Sequence, residues 1–291
     1  GNLEAYEMIV ARYQAAKCLL GETHETPSLE DEQFQEARFL EEVGRKGSQL
    51  TLGAYYLSRL QVLFLHQEYE RALEAGKALK NYLEALSILH VEAEYHLYEA
   101  LTMATLHGEN GYDFKASVQK HLGKLAKWAK KVPENFAVLY KIVEAEAARM
   151  SGHIIEAEAS YEEAIETARQ YGFLHHEALA NEFAGRFHVA QDKKKAASVY
   201  LTDAHFLYRR WGAHPKAVYL EEQFRELIRK QASKNFSETD TTSSTTRFGA
   251  DRQSFDLTSI MKASNLLAEE IVLESLLKKL LVVLLENAGG Q

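Results

Sequence analysis

Apolar residues recur along this chain at spacings of three and four, the period of a helix with one buried face. Runs of β-branched residues of strand length with turn signals are missing. The pattern predicts eleven helices before residue 232, at about 2–20, 29–45, 49–65, 68–86, 89–106, 113–131, 134–150, 154–171, 174–190, 193–211 and 215–231. Thr26-Pro27-Ser28 and Val132-Pro133-Glu134 read as a loop followed by a helix. Proline fits the first helical turn and disfavours helix before it. Gly108-Glu-Asn-Gly111 reads as a turn, and Gly152, Gly172 and Gly212 stand where helices should end.

A longer period overlies the helical one. One copy reads Gly152-x-Ile154-x-x-Ala157-x-x-x-Tyr161-x-x-Ala164-Ile165. A weaker copy places Ala196, Tyr200 and Ala204 equivalently, and an earlier one uses Tyr69 and Ala72. Ala72 and Ala157 are 85 residues apart and Ala157 and Ala196 are 39 apart, so one unit is hidden between the first two. A repeat of about forty residues means stacked helical hairpins. Small residues such as Ala157 let the helices of one hairpin approach, while Tyr161 and Ile165 fill the gap to the next. This division of labour resembles a tetratricopeptide-type repeat. The usual first-helix markers are largely absent, with Lys141, Glu144 and Ala145 in their places. The expected fold is therefore all-α: an α-solenoid of divergent tetratricopeptide-like hairpins over 1–232.

Residues 233–254 are rich in Ser, Thr and Asp and poor in apolar side chains. Such a stretch buries too little surface to offset its ordering entropy and reads as a flexible linker. A last helical module follows from 255. Leu257, Ile260, Ser264, Leu267 and Ile271 form a stripe that shifts to Leu273, Leu276, Leu277, Leu280, Leu281 and Leu284. So apolar a helix needs a partner, which makes a homodimer through 255–291 one expectation.

Composition narrows the function classes. The net charge is −8, and the basic runs Lys124–Lys131 and Lys193–Lys195 are short, which argues against nucleic-acid binding. The lone Cys18 excludes an internal disulfide and a zinc site built on several cysteines. Cys18 reads as a small buried hydrophobe, and a reducing cytoplasm fits. The longest apolar run, Ile271–Leu285, is interrupted by Glu274, Lys278 and Lys279 and is too short to span a bilayer.

Catalytic chemistry needs its residues at particular spacings. Gly44-Arg-Lys-Gly-Ser48 lacks the spacing that rings a phosphate with backbone amides, and neither Gly-x-Ser-x-Gly nor His-Glu-x-x-His occurs. His90, Glu92, Glu94 and His96 alternate across helix faces, and the neighbours His175 and His176 should not face one site. The expectation is therefore no catalytic residue, no cofactor and no metal. The remaining candidate surface is the concave face, where repeat register points Glu146, Arg149, Asn181 and His188. Asn and Arg there suit a peptide backbone or carboxylate. The competing reading makes Glu146 and Arg149 ordinary solvated charges and His188 a packing residue.

Two runs carry a family likeness: Tyr171-Gly-Phe-Leu-His-His-Glu-Ala-Leu-Ala-Asn-Glu-Phe-Ala-Gly-Arg-Phe187 and Tyr200-Leu-Thr-Asp-Ala-His-Phe-Leu-Tyr-Arg-Arg-Trp-Gly-Ala213. With Pro133-Glu-Asn-Phe136, they resemble a stretch of very large bacterial signalling proteins. Those proteins join a serine/threonine kinase, an ATPase module, a helical repeat region, a GAF sensor domain and a histidine kinase. The segment from Phe255 to Leu277 is similar to the helix leading into their GAF domain, and Leu285-Glu-Asn-Ala-Gly-Gly-Gln291 to the end of that domain's first helix. Ala268-Glu269-Glu270 departs from the Ser-Gly pair common there. The resemblance implies an interior fragment with 255–291 as a signalling helix and the start of a truncated GAF domain. It implies a non-catalytic relay whose protein partners are the adjacent ATPase and GAF/kinase domains or a regulatory protein, with the kinase chemistry elsewhere in the polypeptide. The alternative is a small-ligand-sensing helical repeat domain of an ATPase-type transcription regulator.

Overall fold

The computed structural model describes residues 2–86 and 91–228. The chain divides into two units, 1–240 and 241–291, and every described residue belongs to the first. The expected linker at 233–254, the signalling helix at 255–291 and any dimer formed through it lie outside the described residues.

Among the described residues there are twelve α-helices and no strand. They are α1 (Asn2–Leu20), α2 (Glu36–Lys46), α3 (Gln49–Leu65), α4 (Tyr69–Leu79), α5 (Leu83–Leu86), α6 (Val91–Leu106), α7 (Lys115–Lys131), α8 (Pro133–Met150), α9 (Ile154–Tyr171), α10 (Leu174–Ala190), α11 (Lys194–Trp211) and α12 (His214–Gln223). A 3₁₀ turn, Lys80–Tyr82, joins α4 to α5. Pro133 opens α8, and Gly172 takes the left-handed conformation (φ 75°) that ends α9. Ser48 caps α3 by accepting a hydrogen bond from the Thr51 amide at 3.3 Å.

The hairpins are α3/α4, α6/α7, α8/α9 and α10/α11, each packed on the next, so the all-helical solenoid is present. The hidden unit is α6/α7. Ala157, Ala164 and Ala168 line the buried side of α9 with Tyr161 and Ile165 among them. In the next unit the register runs one residue later than the repeat pattern places it. Ala197, Leu201 and Ala204 are buried on α11, whereas Ala196 and Tyr200 are only partly covered. The close approach falls at Gly185 on α10, where a Cβ would meet the Leu201 side chain at 2.6 Å.

Three expected helices differ, the one at 68–86 because the 3₁₀ turn Lys80–Tyr82 divides it into α4 and α5. The one placed at 29–45 begins only at Glu36. Asp31 Oδ1 accepts hydrogen bonds from the amides of Gln33 and Phe34, both at 2.8 Å, and Lys17 pairs with the same carboxylate. A side chain that satisfies the backbone locally competes with helix. Leu29 and Phe34 use the resulting loop to fill the core between α1 and α3. The last expected helix, 215–231, is interrupted at Phe224, with residues 225–228 helical again.

The spiral is tighter than an open array. Helix α1 packs on α3 and also reaches α12, with Gly21 beside Pro215 and Leu20 against Gly212. Across the interior, Phe64 on α3 stacks on Phe183 on α10, rings parallel within 2° and centroids 6.1 Å apart. Gln67 Nε2 donates to Gln223 Oε1 at 3.2 Å, and Tyr219 donates to Gln67 Oε1 at 3.4 Å. A buried charge cluster fastens this end. Glu182 accepts from Lys216 Nζ at 2.8 Å, from Arg186 Nη2 at 2.8 Å and from the Tyr208 hydroxyl at 2.7 Å. Burial pushes the Glu182 carboxyl up, but Lys216 and Arg186, with the Tyr208 bond, outweigh it and hold the pKa at about 2. Three elements thus share one satisfied carboxylate, the condition under which a buried ion pair is tolerated.

Candidate functional site

Where the inner helices converge, they leave a cavity of about 400 Å³. Its walls come from α1 (Arg12), α3 (Gln61), α6 (Glu94, Tyr98), α10 (His175) and α11 (Trp211), closed by aliphatic side chains of α1 and α3. Polar groups run across it in a chain. Arg12 Nη1 donates to Gln61 Oε1 at 2.9 Å, and Gln61 Nε2 donates to Glu94 Oε2 at 3.4 Å. On the far wall, His176 Nε2 lies 3.3 Å from Glu94 Oε1. His175 stacks on Trp211 with centroids 5.3 Å apart, and its ring lies tilted beside that of His176 at 3.8 Å.

The electrostatics follow from burial and neighbours. Burial raises the Glu94 carboxyl, but His176, His175 and Arg12 overcome it, leaving a pKa of about 2 and an ionised group. Burial, and then His176 beside it, lowers His175 to about 4. The cavity wall thus carries an ionised Glu94 carboxylate and the weakly basic His175. Cys18 lies behind this wall, fully buried, and burial pushes its thiol up to about 11, as suits a packing residue. A second, shallower hollow of about 420 Å³ is lined by Lys120, Lys124 and Lys127 beside the buried pair His96 and His121. The Nδ1 atoms of that pair are 2.8 Å apart.

The four residues read for the concave face fall in three places. Glu146 and Arg149 meet: Arg149 Nε donates to Glu146 Oε1 at 3.1 Å and Nη2 donates to Oε2 at 2.7 Å. Arg149 Nη2 also donates to the Ala104 carbonyl at 2.8 Å, bridging α8 to α6, and the Tyr161 hydroxyl donates to Glu146. Asn181 is buried and donates to the Glu177 carbonyl of its own helix at 2.8 Å. His188 is buried, its ring stacked 5.1 Å from that of Tyr200.

The cavity residues were not legible as a set. Adjacent helical residues point apart in mid-helix, yet His175 and His176 stand in the first turn of α10 and both reach Glu94. Glu94 joins them from α6. Only the packing of non-neighbouring hairpins brings these groups together. The one signal available was the run of paired histidines at a helix start followed by Trp211 at the end of the next helix.

The fold and this interior define an all-helical repeat protein of the tetratricopeptide type. The chain belongs to the family of CHK1-like TPR repeats, whose model matches residues 12–230. A 61-residue stretch is 39% identical to hybrid signal transduction histidine kinase G of Dictyostelium discoideum. That stretch is 21% of this chain and 2% of the relative, so the chain spans only a small part of that protein's length. No solved structure matches the chain. Repeats of this kind bind protein partners and generally do no catalysis. Among the described residues no helix is long and apolar enough to cross a membrane.

Proposed function

We propose that the chain is a non-catalytic interaction and relay segment of a multidomain sensor kinase, standing between an ATPase module and a GAF/histidine kinase module. The observation that carries this reading is the match to a repeat family over residues 12–230 together with the likeness to a signalling histidine kinase. In this reading residues 1–232 hold the partner, 233–254 give slack, and 255–291 carry the signal into the GAF domain. Stacked hairpins touch mainly their neighbours, so a partner that grips several of them changes the curvature of the whole.

The partner surface has a physical candidate. Tyr6, Ile9 and Tyr13 on α1 are 63%, 60% and 59% exposed at spacings of three and four. A single exposed apolar residue is ordinary, but three in one helical stripe suit a docking face. Of the four concave-face residues, Arg149 is the one a partner would meet, since its side chain is 35% exposed. The test is a pull-down of the adjoining ATPase module by this chain. Binding that falls when Tyr6, Ile9 and Tyr13 are changed to Glu supports the reading. Failure to bind, with ATPase activity unchanged on deleting residues 1–231, refutes it.

The cavity favours a second reading, a small-ligand sensor. A thermal-shift screen separates the two, because a ligand raises the melting temperature by mass action.

A further inference from the structure

We propose that Glu94, His175 and His176 form a binding site for one divalent transition-metal ion of the zinc class, in the wall of the cavity between α1, α3, α6 and α10. The inference stands apart from the relay reading. The candidate donor atoms, one from each residue, all lie within 4.8 Å of one another. A tetrahedral zinc ion with bonds near 2.0–2.1 Å separates its donors by roughly 3.3 Å, so closure needs movements of about 1 Å. Glu94 and His175 are partly exposed at the cavity and have room to make them.

His176 supplies the independent sign. It is 2% exposed, and neither of its ring nitrogens has a hydrogen-bond partner among the described residues. The 3.3 Å approach of Nε2 to Glu94 is not aligned as a hydrogen bond. A buried polar group left so is destabilising, and a metal bond would relieve it. Two imidazoles and one carboxylate are the nitrogen and oxygen donors that zinc accepts, and they must be deprotonated to bind. Three protein donors leave a fourth position facing the cavity, on the side lined by Gln61 and Arg12. Because the donors come from α6 and α10, in the second and fourth hairpins, the ion would pin hairpins that are not neighbours in sequence. Metal occupancy would thereby fix the curvature of the spiral.

The test uses the tag-free 291-residue chain, stripped with a chelator and titrated calorimetrically with Zn²⁺, with Co²⁺ as a spectroscopic probe. The expected result is one Zn²⁺ per chain, a rise in melting temperature, and the visible absorption of tetrahedral Co²⁺. Glu94→Gln and His176→Gln should each weaken Zn²⁺ binding by at least about tenfold, since losing even an outer partner costs that much. His24→Gln and His153→Gln, away from the cavity, should leave it unchanged. If His176→Gln fails to fold, Glu94→Gln and His175→Gln at the cavity wall decide the matter. The proposal is overturned by the lack of saturable Zn²⁺ binding, or by wild-type affinity in Glu94→Gln and His175→Gln.

Discussion

Glu99 is the side chain whose replacement should stabilise this protein, and only above a definable pH. It lies in the middle of α6, 2% exposed, and its Oε2 has no hydrogen-bond partner among the described residues. Burial, against the weaker pull of Lys77 and Lys80, raises its pKa from 4.5 to about 7. In the unfolded chain the group titrates near its ordinary value, so below about pH 4.5 both states are protonated and the site costs little. Between 4.5 and 7 the unfolded chain ionises first, and stability falls as pH rises; above 7 the loss is complete. A shift of that size corresponds to about 3 kcal/mol. Glu99→Gln keeps the shape and removes the charge. Relative to the parent it should be nearly neutral at pH 4.5 and more stable by about 2–3 kcal/mol at pH 8. For a chain of this size the melting temperature at pH 8 should rise by about 5–10 °C. Urea unfolding of both proteins at the two pH values measures the difference, and all other titrating groups cancel. A pH-independent difference, or a less stable variant at pH 8, would show that Glu99 is not a buried, poorly solvated carboxyl.

Further perturbations test other contacts. A Cβ at Gly76 would lie 1.6 Å from Glu99 Oε2, so Gly76→Ala should destabilise by about 1–3 kcal/mol, and by much less when Glu99 is already Ala; a double-mutant cycle by thermal unfolding reads the coupling. Lys216→Met strips Glu182 of one of its two cations and should cost about 3 kcal/mol, the low end for a broken buried pair, because Arg186 still donates; chemical denaturation reports it. Asp192, between α10 and α11, holds a left-handed φ of 54°, so Asp192→Gly should stabilise by about 0.5 kcal/mol, seen as a small rise in melting temperature.

Element positions were largely legible because local chemistry decides them. Pro133 and Gly172 set helix ends whatever surrounds them. Asp31 shows where that reading fails: its carboxylate serves two backbone amides and Lys17, a combination that only the folded loop reveals. The repeat period was visible, but its register on α11 slipped by one residue, because Tyr200 and Leu201 are both apolar enough to take the core position. Packing of α11 on Gly185 chooses Leu201. The curl that brings α1 to α12, and with it the Glu94–His175–His176 wall, depends on contacts between distant hairpins that no periodicity encodes. Glu146 and Arg149 were read only as separate residues of the concave face; their pairing and the tie of Arg149 to Ala104 come from the packing of α8 on α6.

Among the described residues the stack of hairpins curls until its first and last helices, α1 and α12, meet. Gln67→Cys with Gln223→Cys tests it directly, using a short bismaleimide on the folded chain, where the native Cys18 is buried and unreactive. The expected outcome is rapid intramolecular cross-linking, read as a single mass increment bridging two peptides that are 156 residues apart. Two separately modified cysteines, with no bridge under native conditions, would contradict it.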